Sequence, residues 1–446
     1  MNLSTFRKSF MMVTLALLTS VVMWGCGSDS YDTPQSTAVS NAALPGHATN
    51  VLIEPATLKG WMDQGLVNAS SSFNGKVVIL DYAGSGDLIP GAIRVESGEL
   101  NAVRMDGLAK MASLVATGEQ MDAVIARLGI DENTTIVFTT TAGGSFNPTR
   151  AYWTFRYWGF PQERLRVLDG GNAAWLAATY DMTSVEADVP PSNYSVKYLP
   201  KLNDNLRVSI SELLATVGDD TKTNGTDYLT IDARGGAATS GYSGNGTTPS
   251  LIDSTKVVAF EGHPAGGIAI GQGDLFVGGK FKPVSDGDGD ATNDLTSIFT
   301  TAGWAPGIPS ITYCTSGYSC TPIFFALEAI LGAEVQVFDG SWGQAGQYAA
   351  KETAADTTTG AVLPVGSAWD LTQYTANLTF NADDLVDGVL RDSKTIYALP
   401  YSPSLEADYQ PGAPETNQVE NEDAQYLMTP PAKAPTELEG GGGVDC

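Results

Sequence analysis

At 446 residues the chain is longer than one ordinary domain, and its length alone suggests two or three domains. Hydrophobic residues make up 43% of the sequence and charged residues 17%, which allows sizeable cores and argues against wholesale disorder. The 50 acidic side chains outnumber the 24 basic ones, so the formal net charge is -26. Such an acidic surface repels nucleic acid and anionic lipid headgroups, and both are discounted as partners.

The N-terminus has the pattern of a secretory signal. A short basic region precedes an apolar stretch over residues 10–24, which is shorter than a membrane-spanning helix. Cys26 directly follows Gly25, and this pair resembles the cleavage box of bacterial lipoproteins. The resemblance implies lipidation of Cys26 and, because Gly27 follows it, placement at the outer membrane of a Gram-negative bacterium. We therefore expect a cell-envelope protein that meets the membrane only through a lipid anchor.

The cysteine count limits the redox chemistry. The four cysteines are Cys26, Cys314, Cys320 and Cys446. Lipidation of Cys26 leaves an odd number, so a dense disulfide framework is excluded and at least one thiol is free or reactive. With 2 histidines and no Cys-x-x-Cys-His motif, a multi-haem or His-rich zinc site is excluded as well. No cofactor is predicted.

One acidic loop has a feature of calcium sites. Carboxylates alternate with glycine over Asp286–Asp290, as they do in calcium-binding loops. An EF-hand would need Gly at the sixth position and Glu at the twelfth, where Ala291 and Ser297 stand. A solvated acidic loop is the preferred interpretation and a loose calcium site is the alternative, so no metal site is predicted.

An internal repeat indicates the fold. Each half has an apolar strand ending in Asp, a Pro/Gly-Ala segment, a second strand, a loop with a helical segment, and a closing strand. The paired segments are 77–81 with 228–232, 89–93 with 262–269, 135–138 with 310–313, 149–159 with 321–332, and 166–171 with 335–341. Strands that alternate with helices predict a parallel sheet flanked by helices, so we expect an α/β fold in two tandem copies.

The repeat also predicts the organisation of the chain. The predicted segments are a signal peptide at 1–26, a tether at 27–48, a first domain at 49–185, a linker at 186–205, a second domain at 206–350 and an extension at 351–446. Residues 235–254 and 284–294 have the composition of surface insertions. In the extension, residues 369–390 are a candidate docking segment, and we expect disorder over the last thirty or so residues.

The repeated motifs resemble those of tandem-domain rhodaneses, a family of sulfurtransferases. They are Ile89–Ile93, Thr149–Gly159 and Leu168–Trp175 in the first half, and Asp232–Arg234, Gly262-His263, Tyr313–Gly317 and Phe338–Trp342 in the second. In that family the first domain is catalytically silent, and the second holds a nucleophilic cysteine after a strand. The first-half loop, Thr139–Pro148, contains no cysteine, whereas the second-half loop begins with Cys314. The resemblance therefore implies that Cys314 is catalytic.

The residues after Cys314 suit a reactive thiol. Thr315, Ser316, Gly317, Tyr318 and Ser319 form a predicted curl before a helix. Backbone N–H groups of such a curl, with the positive end of the helix dipole, favour a thiolate and hold the extra sulfur of a persulfide. These five residues are therefore predicted to bind substrate. Without the flanking motifs, a small buried hydrophobic residue would be the preferred interpretation of the cysteine.

Substrate choice is predicted from the same loop. The sixth residue after Cys314 is Cys320 rather than Arg, which argues against the Cys-x5-Arg loop of phosphatases and arsenate reductases. Thiosulfate-using relatives place Arg and Lys after the cysteine, and mercaptopyruvate-using relatives place Gly and Ser there. Thr315 and Ser316 are closer to the second type, although Tyr318 and Ser319 depart from the Val-Thr of both.

Residues outside the loop have predicted roles too. By the resemblance, Arg150 reaches the interdomain cleft and supplies positive charge to the substrate, with a surface helix arginine as the alternative. Arg156 is a weaker candidate. Asp232 with Arg234 is predicted to be a structural pair near the cleft, and His263 is also predicted to be structural.

The leading hypothesis is a cell-envelope sulfurtransferase. It would move a sulfane sulfur from 3-mercaptopyruvate or thiosulfate, through a Cys314 persulfide, to a thiol or cyanide. A variant places selenium or tellurium oxyanion chemistry on the same thiol. The rival is a non-enzymatic lipoprotein that acts as a binding or assembly module, with an envelope partner at the C-terminal extension. Cys320 is either a core residue or a resolving thiol, and Cys446 is either a disulfide hook or incidental.

Overall fold

The computed structural model describes residues 51–70, 75–107, 109–234, 262–285, 293–345, 350–351, 363–364, 378–380, 385–386, 389–390 and 417–429. The helices are Pro55–Asp63, Gly118–Arg127, Asn147–Tyr157, Gly171–Ala177, Ile210–Val217, Leu295–Ala302, Thr321–Phe325, Ser341–Ala345 and Gln418–Met428. A π-helical turn, Ala326–Ile330, continues the helix at Thr321–Phe325. Short 3-10 segments are Ser97–Glu99, Gln162–Arg164, Val196–Tyr198, Asp204–Leu206 and Gln272–Leu275. No helix in the described part of the chain has the length and hydropathy that a bilayer span requires.

The strands form two matching sheets and several small ladders. In chain order they are β1 Leu52–Ile53, β2 Lys76–Tyr82, β3 Ala92–Val95, β4 Asn101–Asp106, β5 Ala109–Val115, β6 Thr134–Thr139, β7 Leu165–Leu168, β8 Arg207–Val208, β9 Leu229–Asp232, β10 Gly262–Pro264, β11 Ile268–Ala269, β12 Phe276–Val277, β13 Lys280–Phe281, β14 Ser310–Tyr313, β15 Val335–Phe338, β16 Ala350–Lys351, β17 Leu363–Pro364, β18 Leu378–Phe380, β19 Leu385–Val386 and β20 Val389–Leu390.

The two large sheets have the same topology. The first has the order β1-β7-β6-β2-β3 and the second β8-β15-β14-β9-β11. Every neighbouring pair in both sheets is parallel. The register also matches, because Asp81 pairs with Thr139 and Asp232 pairs with Tyr313. The predicted α/β class with two copies of a helix-flanked parallel sheet is confirmed.

The elements form for local reasons. From Val77 to Tyr82 strand β2 is buried at every position, as expected for a parallel strand covered on both faces. The helix Gly118–Arg127 begins with a capping box, in which Thr117 and Gln120 satisfy each other's backbone N–H groups. Ser209 and Glu212 begin the helix Ile210–Val217 in the same way.

Two hairpins join the halves reciprocally. Strands β4 and β5 pair antiparallel, and the backbone N–H of Val115 at the end of this hairpin donates to Asp339 Oδ2 of the second half at 2.8 Å. Strands β12 and β13 also pair antiparallel, and the N–H of Phe281 donates to Asp169 Oδ1 of the first half at 2.9 Å. Asp169 and Asp339 both follow the strand that closes their sheet. Each half therefore donates a backbone N–H to the aspartate that stands at the equivalent position of the other half.

Aromatic packing fills the space between the two loop helices. The rings of Tyr152 and Phe325 meet edge to face with centroids 4.9 Å apart, and Phe281 lies 5.3 Å from Phe325. At the helix starts the hydroxyls of Thr149 and Thr321 lie 2.9 Å apart. The helices that follow the two loops are thus packed directly against each other.

Parts of the C-terminal extension contact the repeat. Strand β18 pairs antiparallel with β10, so the predicted docking of residues 369–390 is confirmed for the described residues 378–380. The expected disorder over the last thirty or so residues is wrong for residues 418–428, which form a helix. Its Asp423 accepts hydrogen bonds from Arg104 and Tyr157. A helix that is held by polar contacts of this kind is not indicated by the apolar periodicity from which helices are predicted.

Several predicted features lie outside the described residues. They are the signal peptide and tether at 1–48 with Cys26, the insertion at 235–254, the acidic loop Asp286–Asp290, and Cys446. The proposed domain boundaries stay predictions.

Candidate active site

Cys314 directly follows strand β14, as the sequence predicts. The chain then curls through residues 315–319 and enters the helix Thr321–Phe325, for which Cys320 is the N-terminal cap residue. The Tyr318 carbonyl accepts hydrogen bonds from the backbone N–H of Thr321 at 2.9 Å and from its hydroxyl at 2.8 Å. Pro322 lies in the first turn, where its missing N–H leaves no bond unmade. These contacts fix where the loop ends.

Gly317 allows the tight curl at the centre of the loop. Its φ is +78°, a left-handed conformation that favours glycine. A Cβ at this position would collide with the backbone oxygen of Asp339. The loop is therefore pressed against the segment that follows strand β15.

That segment holds Cys314 from the other side. The Ser341 hydroxyl accepts the Cys314 N–H at 3.1 Å, and its oxygen lies 4.0 Å from the Cys314 Sγ. The N–H of Trp342 donates to the Cys314 carbonyl at 3.0 Å, and the N–H of Gly343 donates to the Thr315 carbonyl at 2.9 Å. Ser341 belongs to the motif Phe338–Trp342, but its contact with Cys314 was not predicted from the sequence.

The electrostatics around Cys314 favour the thiolate. Its side chain is 2% exposed, and burial alone would raise the pKa of the thiol. Hydrogen bonds from the Cys320 thiol, from the backbone N–H groups of Ser316 and Cys320, and from the Ser341 hydroxyl outweigh burial and lower the pKa to about 6. At neutral pH the sulfur is therefore mainly anionic.

The pKa of the Cys320 thiol shifts in the opposite direction. Burial, its hydrogen bond to Cys314 and the negative charge on that sulfur raise the pKa of the Cys320 thiol well above its ordinary value. Both cysteines are reduced and buried. Cys320 therefore stays protonated and acts as a donor to the neighbouring thiolate.

Arg150 lies behind the loop. Its side chain is 0% exposed, and Nη1 donates to the Gly317 carbonyl and to Asp339 Oδ1, both at 2.8 Å. Nη2 donates to the Ser113 carbonyl at 2.8 Å, and the guanidinium carbon lies 4.9 Å from the centre of the Tyr318 ring. In this structure the arginine binds the loop backbone, and its direct contact with substrate stays a prediction.

The remaining loop residues lie at the surface of the site. Thr315, Ser316, Tyr318 and Ser319 are half-buried, and Gly317 is buried. Tyr318 reaches the first half, where its hydroxyl accepts from Asn101 Nδ2 at 2.5 Å. The five predicted substrate-binding residues are thus contiguous with Cys314, and their binding role stays a prediction.

The first half carries a matching loop without a thiol. Thr140 stands where Cys314 stands, because the N–H of Asn172 donates to the Thr140 carbonyl as Trp342 does to Cys314. This loop is covered by the second half, with Gly279 against Gly143. A hydroxyl therefore takes the place of the nucleophile in the first half.

Asp232 and Arg234 form the predicted pair. Arg234 Nη2 pairs with Asp232 Oδ2 at 2.6 Å, and its guanidinium carbon is 5.1 Å from the centre of the Trp342 ring. His263 is buried, with Nδ1 2.9 Å from the Pro264 carbonyl, and burial lowers its pKa.

Arg156, the weaker binding candidate, pairs with Glu328 at 2.8 Å across the two halves. Among the described residues no group of histidine, cysteine or carboxylate side chains has the arrangement of a metal site.

Comparison with known proteins finds sulfurtransferases among the relatives of this chain. No protein-family model matches the chain. It is similar to a thiosulfate sulfurtransferase of Corynebacterium glutamicum, with 27% identity over 263 residues, covering 58% of this chain and 76% of the relative. It is also similar to the 3-mercaptopyruvate sulfurtransferase of Escherichia coli, with 22% identity over 261 residues, covering 58% and 81%.

Solved structures show the same fold. The crystal structure of SseA from Escherichia coli, described as a rhodanese fold, matches with a TM-score of 0.50 and 18% identity, covering 66% of this chain and 99% of that one. Tum1 from Saccharomyces cerevisiae matches with a TM-score of 0.52 and 18% identity, covering 66% and 94%.

Proposed function

We propose that Cys314 carries the transferred sulfur as a persulfide. The premise is that the chain belongs to the rhodanese sulfurtransferase family and is a sulfurtransferase. One observation supports this role above the others. The donors around Cys314 lower its pKa to about 6 although the side chain is buried. A buried thiolate at neutral pH is a strong nucleophile in a site that excludes bulk water.

The reaction has two steps. In the first, the Cys314 thiolate attacks the sulfane sulfur of thiosulfate, the S–S bond of the donor breaks, and sulfite leaves with the electron pair. With 3-mercaptopyruvate the C–S bond breaks instead, and the carbon takes up the thiol proton to give pyruvate. In the second, an acceptor thiolate or cyanide attacks the outer sulfur of the persulfide, and the Cys314 thiolate is released.

The same donors serve the persulfide. The N–H groups of Ser316 and Cys320 point at the position where negative charge rests before and after transfer. Thr315 and Ser316 carry no charge, and the nearby Arg150 is occupied by Gly317 and Asp339. We therefore propose 3-mercaptopyruvate, which carries one carboxylate, as a better donor than the thiosulfate dianion.

We also propose that the chain is lipidated at Cys26 and works in the cell envelope, with an envelope partner that binds through the C-terminal extension. The support is the basic and apolar N-terminal sequence that ends at Gly25-Cys26. Labelled fatty acid should enter the wild-type protein and not a Cys26→Ser variant. Equal labelling of both would contradict lipidation at this residue.

The test of the proposed reaction is sulfur transfer to cyanide by the mature, reduced protein. Thiosulfate and 3-mercaptopyruvate are offered separately, and Cys314→Ser is compared with Cys446→Ser as a control. We expect turnover, faster with 3-mercaptopyruvate, that only Cys314→Ser abolishes. Unchanged turnover in Cys314→Ser would refute the persulfide site. No turnover from folded protein with a free Cys314 thiol would favour the binding module or another chalcogen substrate.

A further inference from the structure

The helix Gln418–Met428 is bound to both halves of the repeat by buried ionic contacts. Asp423, 2% exposed, accepts two hydrogen bonds from Arg104 of strand β4, each at 2.8 Å. Glu420, 6% exposed, accepts from Arg207 of strand β8 at 2.5 Å. Buried carboxylates are costly unless they are paired, so these contacts fix one position for the helix.

Arg207 is the centre of the second contact. Its guanidinium donates to Asp106 Oδ2 at 3.1 Å, to Asp339 Oδ2 at 3.3 Å and to Glu420. The Tyr157 hydroxyl and the Glu212 and Asp423 carboxylates also interact electrostatically with Arg207, and Arg150 interacts with Asp339. Three carboxylates from three parts of the chain thus share one arginine.

Asp339 joins this cluster to the Cys314 loop. Its Oδ2 accepts from Arg207 and from the Val115 N–H, and its Oδ1 accepts from Arg150. Arg150 in turn donates to the Gly317 carbonyl. An unbroken line of hydrogen bonds therefore runs from Glu420 to the loop that holds the nucleophile.

We propose that Glu420 is a positioning residue for sulfur transfer, and that docking of the helix Gln418–Met428 regulates the Cys314 loop. The role in sulfur transfer rests on the function proposed above for Cys314. Glu420 engages Arg207 Nη1 and leaves a long Nε contact to Asp339. Asp339 can then bind Arg150 strongly, and Arg150 holds the carbonyl of Gly317.

Removal of the Glu420 charge redistributes these bonds. Arg207 would donate more strongly to Asp339 and compete with Arg150 for the same carboxylate. The Gly317 carbonyl would be held less firmly, and the N–H groups of Ser316 and Cys320 would be directed less well at the Cys314 sulfur. The thiolate is then less stabilised, although no residue that touches the sulfur has changed.

The experiment measures the rate of Cys314 alkylation by iodoacetamide against pH in the full chain, with the modified residue assigned by tandem mass spectrometry. Glu420→Gln should shift the midpoint of the profile upward by about 1 pH unit. Glu422→Gln is the matched control, because Glu422 lies on the same helix, contacts Arg104 and has a side chain that is 49% exposed. The control midpoint should equal that of the wild-type protein.

A second, more conservative variant covers the case in which Glu420→Gln does not fold. Glu420→Asp keeps the charge and shortens its reach, so its midpoint should shift upward by a smaller amount. A midpoint of folded Glu420→Gln within about 0.3 pH unit of wild type overturns the proposal. Failure of both variants to fold overturns it too, because Glu420 would then serve the fold as a whole. Alkylation needs no sulfur donor, so absent turnover in every variant would count against the proposed function alone.

Discussion

Replacement of Cys320 by alanine tests the origin of the Cys314 thiolate. The Cys320 thiol is the first of four donors that together lower the pKa of Cys314 from 9.0 to about 6 against the effect of burial. Alanine removes the S–H donor and keeps the backbone N–H of residue 320. With one of four donors lost, we expect the pKa of Cys314 to rise by about 1 unit, to roughly 7.

The expected magnitude follows from the thiolate fraction. At pH 6.5 that fraction falls from about 75% to about 25%, so alkylation slows about threefold, whereas at pH 9 both proteins are fully ionised and react at the same rate. The assay is alkylation of Cys314 followed by tandem mass spectrometry across pH 5 to 9.

Serine at position 320 is the matched control. Its hydroxyl can donate to the thiolate, so Cys320→Ser should keep most of the low pKa. An alkylation profile of Cys320→Ala that superimposes on that of wild type would refute the reasoning. It would mean that the backbone N–H groups and the Ser341 hydroxyl account for the low pKa of Cys314 by themselves.

Three other changes have defined outcomes. Arg150→Lys should lower the free energy of unfolding by about 3 kcal/mol and slow sulfur transfer at least about tenfold, because lysine cannot make the contacts of the buried guanidinium; unchanged values in urea unfolding and turnover would contradict this. Gly317→Ala should destabilise more than Gly307→Ala, because both have positive φ but only the first meets Asp339; equal losses in urea unfolding would count against the close contact. Burial raises the pKa of Asp169 to about 6, so ionisation of this carboxyl lowers the free energy of unfolding as pH rises from about 4 to about 6. The free energy of unfolding of Asp169→Asn should therefore rise by at most about 3 kcal/mol relative to that of wild type between pH 4 and 7. If urea unfolding gave the same difference between the two proteins at every pH, the raised pKa of Asp169 would be excluded.

Much of the fold follows from the sequence because the signal is local. Strand β14 was predicted with the bounds Ser310–Tyr313 that the structure has, and β2 extends the predicted strand by one residue at each end. Their apolar runs are continuous because helices cover both faces of a parallel sheet. The position of Cys314 after a strand and before a helix was predicted for the same reason.

The site depends on residues far apart in the sequence, and these were not predictable. Ser341 contacts Cys314 through a backbone with φ +53°, a conformation for which serine gives no sequence signal. Arg150 binds Asp339 of the second half and Ser113 of the first, and its buried side chain shows that the alternative of a surface helix arginine is wrong. The helix at residues 418–428 is held by Glu420 and Asp423, whose charges are typical of a solvated segment until their arginine partners are known.

The reciprocal hairpins make the two halves depend on each other for folding. The N–H that satisfies Asp169 comes from Phe281, and the N–H that satisfies Asp339 comes from Val115. Separation of the halves would deprive each of a backbone donor that no side-chain substitution in that half can replace. Either half expressed alone would therefore leave one of these buried carboxylates without its backbone donor. The first half has Thr140 where the second has Cys314, yet it supplies a hydrogen bond on which the segment beside Cys314 depends.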